Sequence, residues 1–89
     1  MTPDELATRA QSALDTLRPC FSGTIPLRFG GVWAALEKSG GFYTLHLTDV
    51  DTPIDAARLA AYAQAFGVRT VERIQVGNTA MLTWEADDD

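Results

Sequence analysis

Residues 52–67 read Thr52-Pro53-Ile54-Asp55-Ala56-Ala57-Arg58-Leu59-Ala60-Ala61-Tyr62-Ala63-Gln64-Ala65-Phe66-Gly67. This is the strongest helix signal in the chain. Thr52 is placed to cap it, with Pro53 at the first helical position and Asp55 at the third. Gly67 ends it as a left-handed cap. On a helical wheel Leu59, Tyr62, Ala63 and Phe66 make a large-residue face. Ile54, Ala57, Ala61 and Ala65 make a second, flatter face, and only Asp55, Arg58 and Gln64 interrupt the apolar surface. A helix that is apolar on two sides needs covering on both. A sheet of the same chain can take the first face. The second is expected to pair with its own copy, since closed two-fold dimers are the commonest oligomers.

The sheet is read upstream. From Thr24 to Thr48 the residues alternate with period two. Gly30-Gly31 reads as a two-residue hairpin turn, which sets Phe29 against Val32, Leu27 against Ala34 and Ile25 against Leu36. A second turn over residues 38–41 sets Glu37 against Phe42, Leu36 against Tyr43, Ala34 against Leu45 and Val32 against Leu47. Opposed residues share a face. Both turns therefore give one apolar face: Ile25, Leu27, Phe29, Val32, Ala34, Leu36, Tyr43, Leu45 and Leu47. Pro26 cannot donate to a ladder, so the first strand is expected at an edge. The opposite face is mixed, and the same registers put Arg28, Trp33 and His46 in one row, flanked by Phe42. Aromatic and arginine side chains are favoured at interface centres, so these four are the candidate partner-binding residues. The candidate dimer interface is Ile54, Ala57, Ala61 and Ala65.

Upstream again, Thr2-Pro3-Asp4-Glu5 opens a first helix by the device read at Thr52. Leu6, Ala10, Ala13, Leu14 and Leu17 follow at helical spacing, and Pro19 stops it. Downstream, two strands run from about Arg69 to Val76 and from Thr79 or Ala80 to Glu85, with Gly77-Asn78 at the turn. A two-residue loop leaves both faces of this hairpin mixed. A three-residue loop gathers Ile74, Val76, Ala80, Leu82 and Trp84 on one face, and that pattern is the expectation. Residues 1–86 thus read as one α+β domain, α-β-β-β-α-β-β. It is expected to have a mainly antiparallel five-stranded sheet and two helices packed on one face. The acidic tail 87–89 is expected to be solvated.

Composition narrows function. The chain has 89 residues, 46% hydrophobic and 21% charged, with a net charge of −5. A domain this small buries roughly 60–65% of its unfolded surface, so assembly would help its stability. Seven scattered basic residues make no phosphate-binding stripe, which argues against nucleic acid as a partner. No apolar run is long enough to span a membrane, and the N-terminus has no targeting pattern. A single cysteine, Cys20, has no internal disulfide partner, which fits a reducing cytoplasm, and it is expected as a buried, inert thiol.

One histidine cannot supply a triad or a zinc site. Asp49 and Asp51 lack calcium-loop spacing and read better as capping groups. Neither glycine pair precedes a helix as a phosphate loop does. No catalytic residue, cofactor site or metal site is therefore expected.

The element order resembles the type III secretion chaperone-like fold and, within it, the small bacterial YbjN-like proteins. The resemblance runs through a TPDEL-type first helix, the meander IPLRFGGVWAALEKSGGFYTLHL, the helix TPIDAARLAAYAQAFG and the hairpin RTVERIQVGNTAMLTWEADDD. It implies a non-enzymatic, dimeric protein-binding module, either a chaperone-like adaptor or a signalling regulator. The alternative from composition is a small acidic stoichiometric inhibitor, an immunity or anti-defence protein, acting on a basic target.

Overall fold

The computed structural model describes residues 2–29 and 31–86, without the side chain of Phe29. The expectations for Gly30, for the Phe29 side chain and for the tail Asp87-Asp88-Asp89 lie outside the described residues. Seven elements follow in the order α1 (Pro3–Leu17), β1 (Ser22–Phe29), β2 (Val32–Ser39), β3 (Phe42–Asp49), α2 (Ala56–Phe66), β4 (Thr70–Val76) and β5 (Thr79–Glu85). The strands form one antiparallel sheet in the order β1-β2-β3-β5-β4, with both helices on the same side.

Helix α1 forms as its spacing predicts. Thr2 Oγ1 accepts from the Glu5 N–H at 3.2 Å, satisfying one of the open donors of the first turn. Leu6, Ala10, Ala13 and Leu17 form its buried stripe. Their destination is the face of the meander where Val32, Ala34, Leu36, Tyr43, Leu45 and Leu47 are buried and Ile25 and Leu27 half-buried. Strand β1 is an edge, as Pro26 required.

The β1–β2 register is the one expected, with Ile25, Leu27 and Phe29 opposite Leu36, Ala34 and Val32. The β2–β3 register is corrected by two residues. The turn is the two-residue Gly40-Gly41, so Leu36 faces Leu45, Ala34 faces Leu47, and Ser39 faces Phe42. A shift of two preserves every side chain's face, so alternation alone could not distinguish the two registers. What decides it is turn chemistry. Gly40 has φ +59°, the left-handed geometry that tight hairpins need.

Helix α2 starts later than expected. Asp55, not Thr52, is its N-cap, accepting from the Arg58 N–H at 2.8 Å. Thr52 donates its N–H to Asp49 Oδ1 at 3.0 Å and lies in a loop. The loop carries Ile54 into the core, where it is 2% exposed and its N–H bonds the Gly77 carbonyl. The two Thr-Pro openings are therefore not the same device. Gly67 closes α2 in the left-handed conformation, as read. Leu59, Tyr62 and Ala63 are buried against the sheet side and Phe66 half-buried, its ring 5.8 Å from that of Trp84.

The last hairpin also differs. Gly77-Asn78 is a two-residue turn, with Val76 opposite Thr79 and Ile74 opposite Met81. Gly77 has φ +59°, so turn geometry again overrides the tidier burial pattern. Ala80, Leu82 and Trp84 reach the core, but Ile74 and Val76 point to the other side. A mixed strand is tolerated because β4 is the far edge, exposed along most of its length.

Candidate functional site

Both helices lie on one side, so the other side of the sheet is open among the described residues. Three rows of side chains run across all five strands there. They are Arg28–Trp33–Thr48–Thr79–Val76, Pro26–Ala35–His46–Met81–Ile74, and Thr24–Glu37–Thr44–Thr83–Glu72. Phe42 lies beyond them, between Ser39 and Glu85.

Arg28 and Trp33 meet as the sequence suggested. The guanidinium carbon of Arg28 lies 4.4 Å above the Trp33 ring, and the ring is still 50% exposed. A stacked cation holds the indole flat and presents its other face to solvent. His46 is not in this row. The corrected β2–β3 register puts Thr48 opposite Trp33 and moves His46 one row along, beside Met81. There His46 Nε2 lies 3.0 Å from Glu37 Oε1, across a diagonal of β2 and β3. Phe42 is 45% exposed but stands three rows from Trp33, roughly 20 Å at strand spacing. The four residues chosen from sequence thus form a close pair, a neighbour and an outlier.

Sequence reasoning missed the apolar part of this face that comes from the last hairpin. Ile74 is 41% exposed and Val76 70% exposed. Together with Met81 they extend the face from Trp33 and His46 to the β4 edge. The signal for their placement is the two-residue Gly77-Asn78 turn, whose geometry outweighs the tidier burial pattern.

The Trp33 end of the sheet is braced by Asp49, the last residue of β3. Its Oδ1 accepts from the backbone N–H groups of Asp51 at 2.8 Å and Thr52 at 3.0 Å, and its Oδ2 lies 2.6 Å from Arg58 Nη2. Its own carbonyl accepts from Asn78 Nδ2, and its N–H bonds the Asn78 carbonyl. One side chain thus ties the β3 end and the loop to the start of α2, while its backbone holds the β4–β5 turn. The Asp51 N–H first, then Arg58 and the Thr52 N–H, hold the Asp49 carboxyl below the usual carboxylate range. The same contact raises Arg58 above the usual guanidinium value. Asp49 is therefore a loop and junction anchor, not a helix cap. Lys38 is a second surprise. It is 3% exposed and donates from Nζ to the Arg18 carbonyl at 2.7 Å, at the end of α1.

The candidate dimer face loses Ile54, which is in the core, and keeps Ala57 and Ala61, which are exposed, and Ala65, which is half-buried. Cys20 is exposed, not buried; it lies past the end of α1, with its thiol 3.5 Å from the Thr16 carbonyl. Among the described residues no three His, Cys, Asp or Glu side chains gather in a group that could hold a metal ion. No described helix is long and apolar enough to cross a membrane. Comparisons with family models, with curated proteins and with solved structures gave no match.

Proposed function

We propose that this chain is a non-enzymatic protein-binding module that works as a dimer, a chaperone-like adaptor or signalling regulator, and takes its partner on the open sheet face. The observation that carries the reading is the half-exposed Trp33 under Arg28, continued across the sheet by Met81, Ile74 and Val76. Apolar groups of this kind on a sheet with no helix over it mark a surface that gains from being covered. The resemblance read from the element order α-β-β-β-α-β-β to the type III secretion chaperone-like fold supports the same class by analogy of fold. The dimer contact is assigned to Ala57, Ala61 and Ala65 on α2, whose small side chains permit close helix approach. A free, exposed Cys20 suits the reducing cytoplasm.

A photo-crosslinking amino acid at Trp33, with one at Arg9 on the exposed side of α1 as control, tests the partner surface. In native lysate, Trp33 is expected to give one discrete adduct that excess unlabelled protein competes away. No adduct, or the same ladder from both positions, overturns the reading. An adduct that persists from about 0.05 to 0.5 M salt fits an apolar contact, whereas steep loss of it transfers support to the acidic-inhibitor alternative.

A further inference from the structure

On the helical side, α1 packs on β1 and β2 and α2 on β4 and β5, so neither described helix lies directly on β3 between them. A groove of about 620 Å³ opens there, between the end of α1, the residues after α2 and the ends of β3, β4 and β5. Its floor is the pair Tyr43 and Trp84, cross-strand neighbours with ring centroids 5.9 Å apart. Leu14 and Val68 add apolar walls, and Arg18, Arg69 and Glu85 stand around it. Two of the chain's seven basic residues therefore border one groove in a protein of net charge −5.

The floor carries a chemical signal. Tyr43 and Trp84 are each only 6% exposed. Yet among the described residues neither the phenol nor the indole N–H has a hydrogen-bond partner, and no side-chain polar atom is sealed away unpaired. Both polar atoms must therefore reach solvent, and the groove is an opening that both residues line. Buried rings with open donors are positioned to receive an acceptor. Arg69 has no ion pair among the described residues, while Arg18 holds only an exposed contact to Asp15 at 3.5 Å.

We propose that this groove binds a small apolar carboxylate. The carboxylate is acceptor-only and takes the Tyr43 and Trp84 donors with the Arg69 guanidinium, and the apolar body lies between Leu14 and Val68. A volume of this size suits a small molecule. The groove lies on the opposite side of the sheet from Trp33, so the inference is independent of the proposed partner surface.

The chain has two tryptophans on opposite sides of the sheet, which supplies an internal control. In ¹⁵N-labelled protein titrated with 4-phenylbutyrate, the Trp84 indole N–H peak is expected to shift and saturate while the Trp33 peak stays in place. The neutral 4-phenylbutanol should bind at least about tenfold more weakly, and Arg69→Gln should weaken the acid to the same degree with melting unchanged. The inference is overturned if the Trp84 peak does not move at millimolar probe, if the alcohol binds as well as the acid, or if Arg69→Gln binds unchanged. A Trp84 peak that shifts with protein concentration alone assigns the groove to a second copy and also overturns it.

Discussion

Arg58 Nη2 lies 2.6 Å from Asp49 Oδ2, so the first turn of α2 is fastened to the last residue of β3. The same carboxylate holds two loop N–H groups. The charged form of Asp49 is the one the fold uses. Its carboxyl is held below the ordinary value of about 4, so its contribution to stability is present above that value. The contribution is lost as pH falls through the lowered folded value. Thermal melts from pH 7 to pH 2 should show wild type losing stability on the acid side. Asp49→Asn should melt lower at pH 7 and lose less on acidification. Parallel pH profiles for the two proteins would show that the carboxylate has no such part.

Two substitutions decide where α2 begins. Asp55→Ala removes the acceptor of the Arg58 N–H and should cost about 0.5–2 kcal/mol in urea unfolding. Thr52→Ala should cost under about 0.5 kcal/mol, since only the backbone N–H of Thr52 is bonded to Asp49. The reverse order would restore Thr52 as the cap.

Lys38 stands at the core edge of β2 with its ammonium on the Arg18 carbonyl, where the negative end of the α1 dipole and an open carbonyl both favour a cation. Its stem also runs near Tyr43, with Nζ 5.5 Å from the ring centroid. Lys38→Met keeps most of the packing and removes the donor. It should lower stability by about 1–3 kcal/mol with an unchanged urea m-value. Hydrogen exchange should quicken first in the last turn of α1.

The Ala face of α2 and the core position of Ile54 make separable predictions. Ala61→Glu puts a charge on the proposed self-pairing surface and should halve the mass in sedimentation while leaving the fold intact. An unchanged mass sinks the α2 interface. Ile54→Ala removes a side chain that is 2% exposed and should cost about 2–4 kcal/mol by leaving a cavity. Its effect should appear in the unfolding midpoint at every protein concentration.

Much of the fold was legible because its causes are local. The 3.6-residue spacing of Leu6, Ala10, Ala13 and Leu17 defines α1 without reference to anything it packs on. Period-two alternation assigns each meander residue to its face, and the β1–β2 register follows from its turn. The candidate site was legible only where it depended on that register, at Arg28 and Trp33. The row of His46 depends on a two-residue register difference that alternation cannot detect, and the side taken by Ile74 and Val76 depends on turn geometry and not on burial pattern.

The sequence by itself determined the element order, the split of the meander into an apolar and a mixed face, and the edge position of β1. These depend on residues near one another in the chain. Only the tertiary structure decided that β5 lies between β3 and β4, and that Ile54 is core and not interface. It also joined Asp49 to Arg58 and to Asn78, and left Tyr43 and Trp84 at the floor of an open groove. These relationships join residues distant in sequence, and their partners become neighbours only when the whole sheet closes around one core. The helix at residues 56–66 shows both sides of this. Its apolar periodicity was written in the chain, but its start at Asp55 came with a loop in which Asp49, at the end of β3, holds the Thr52 N–H.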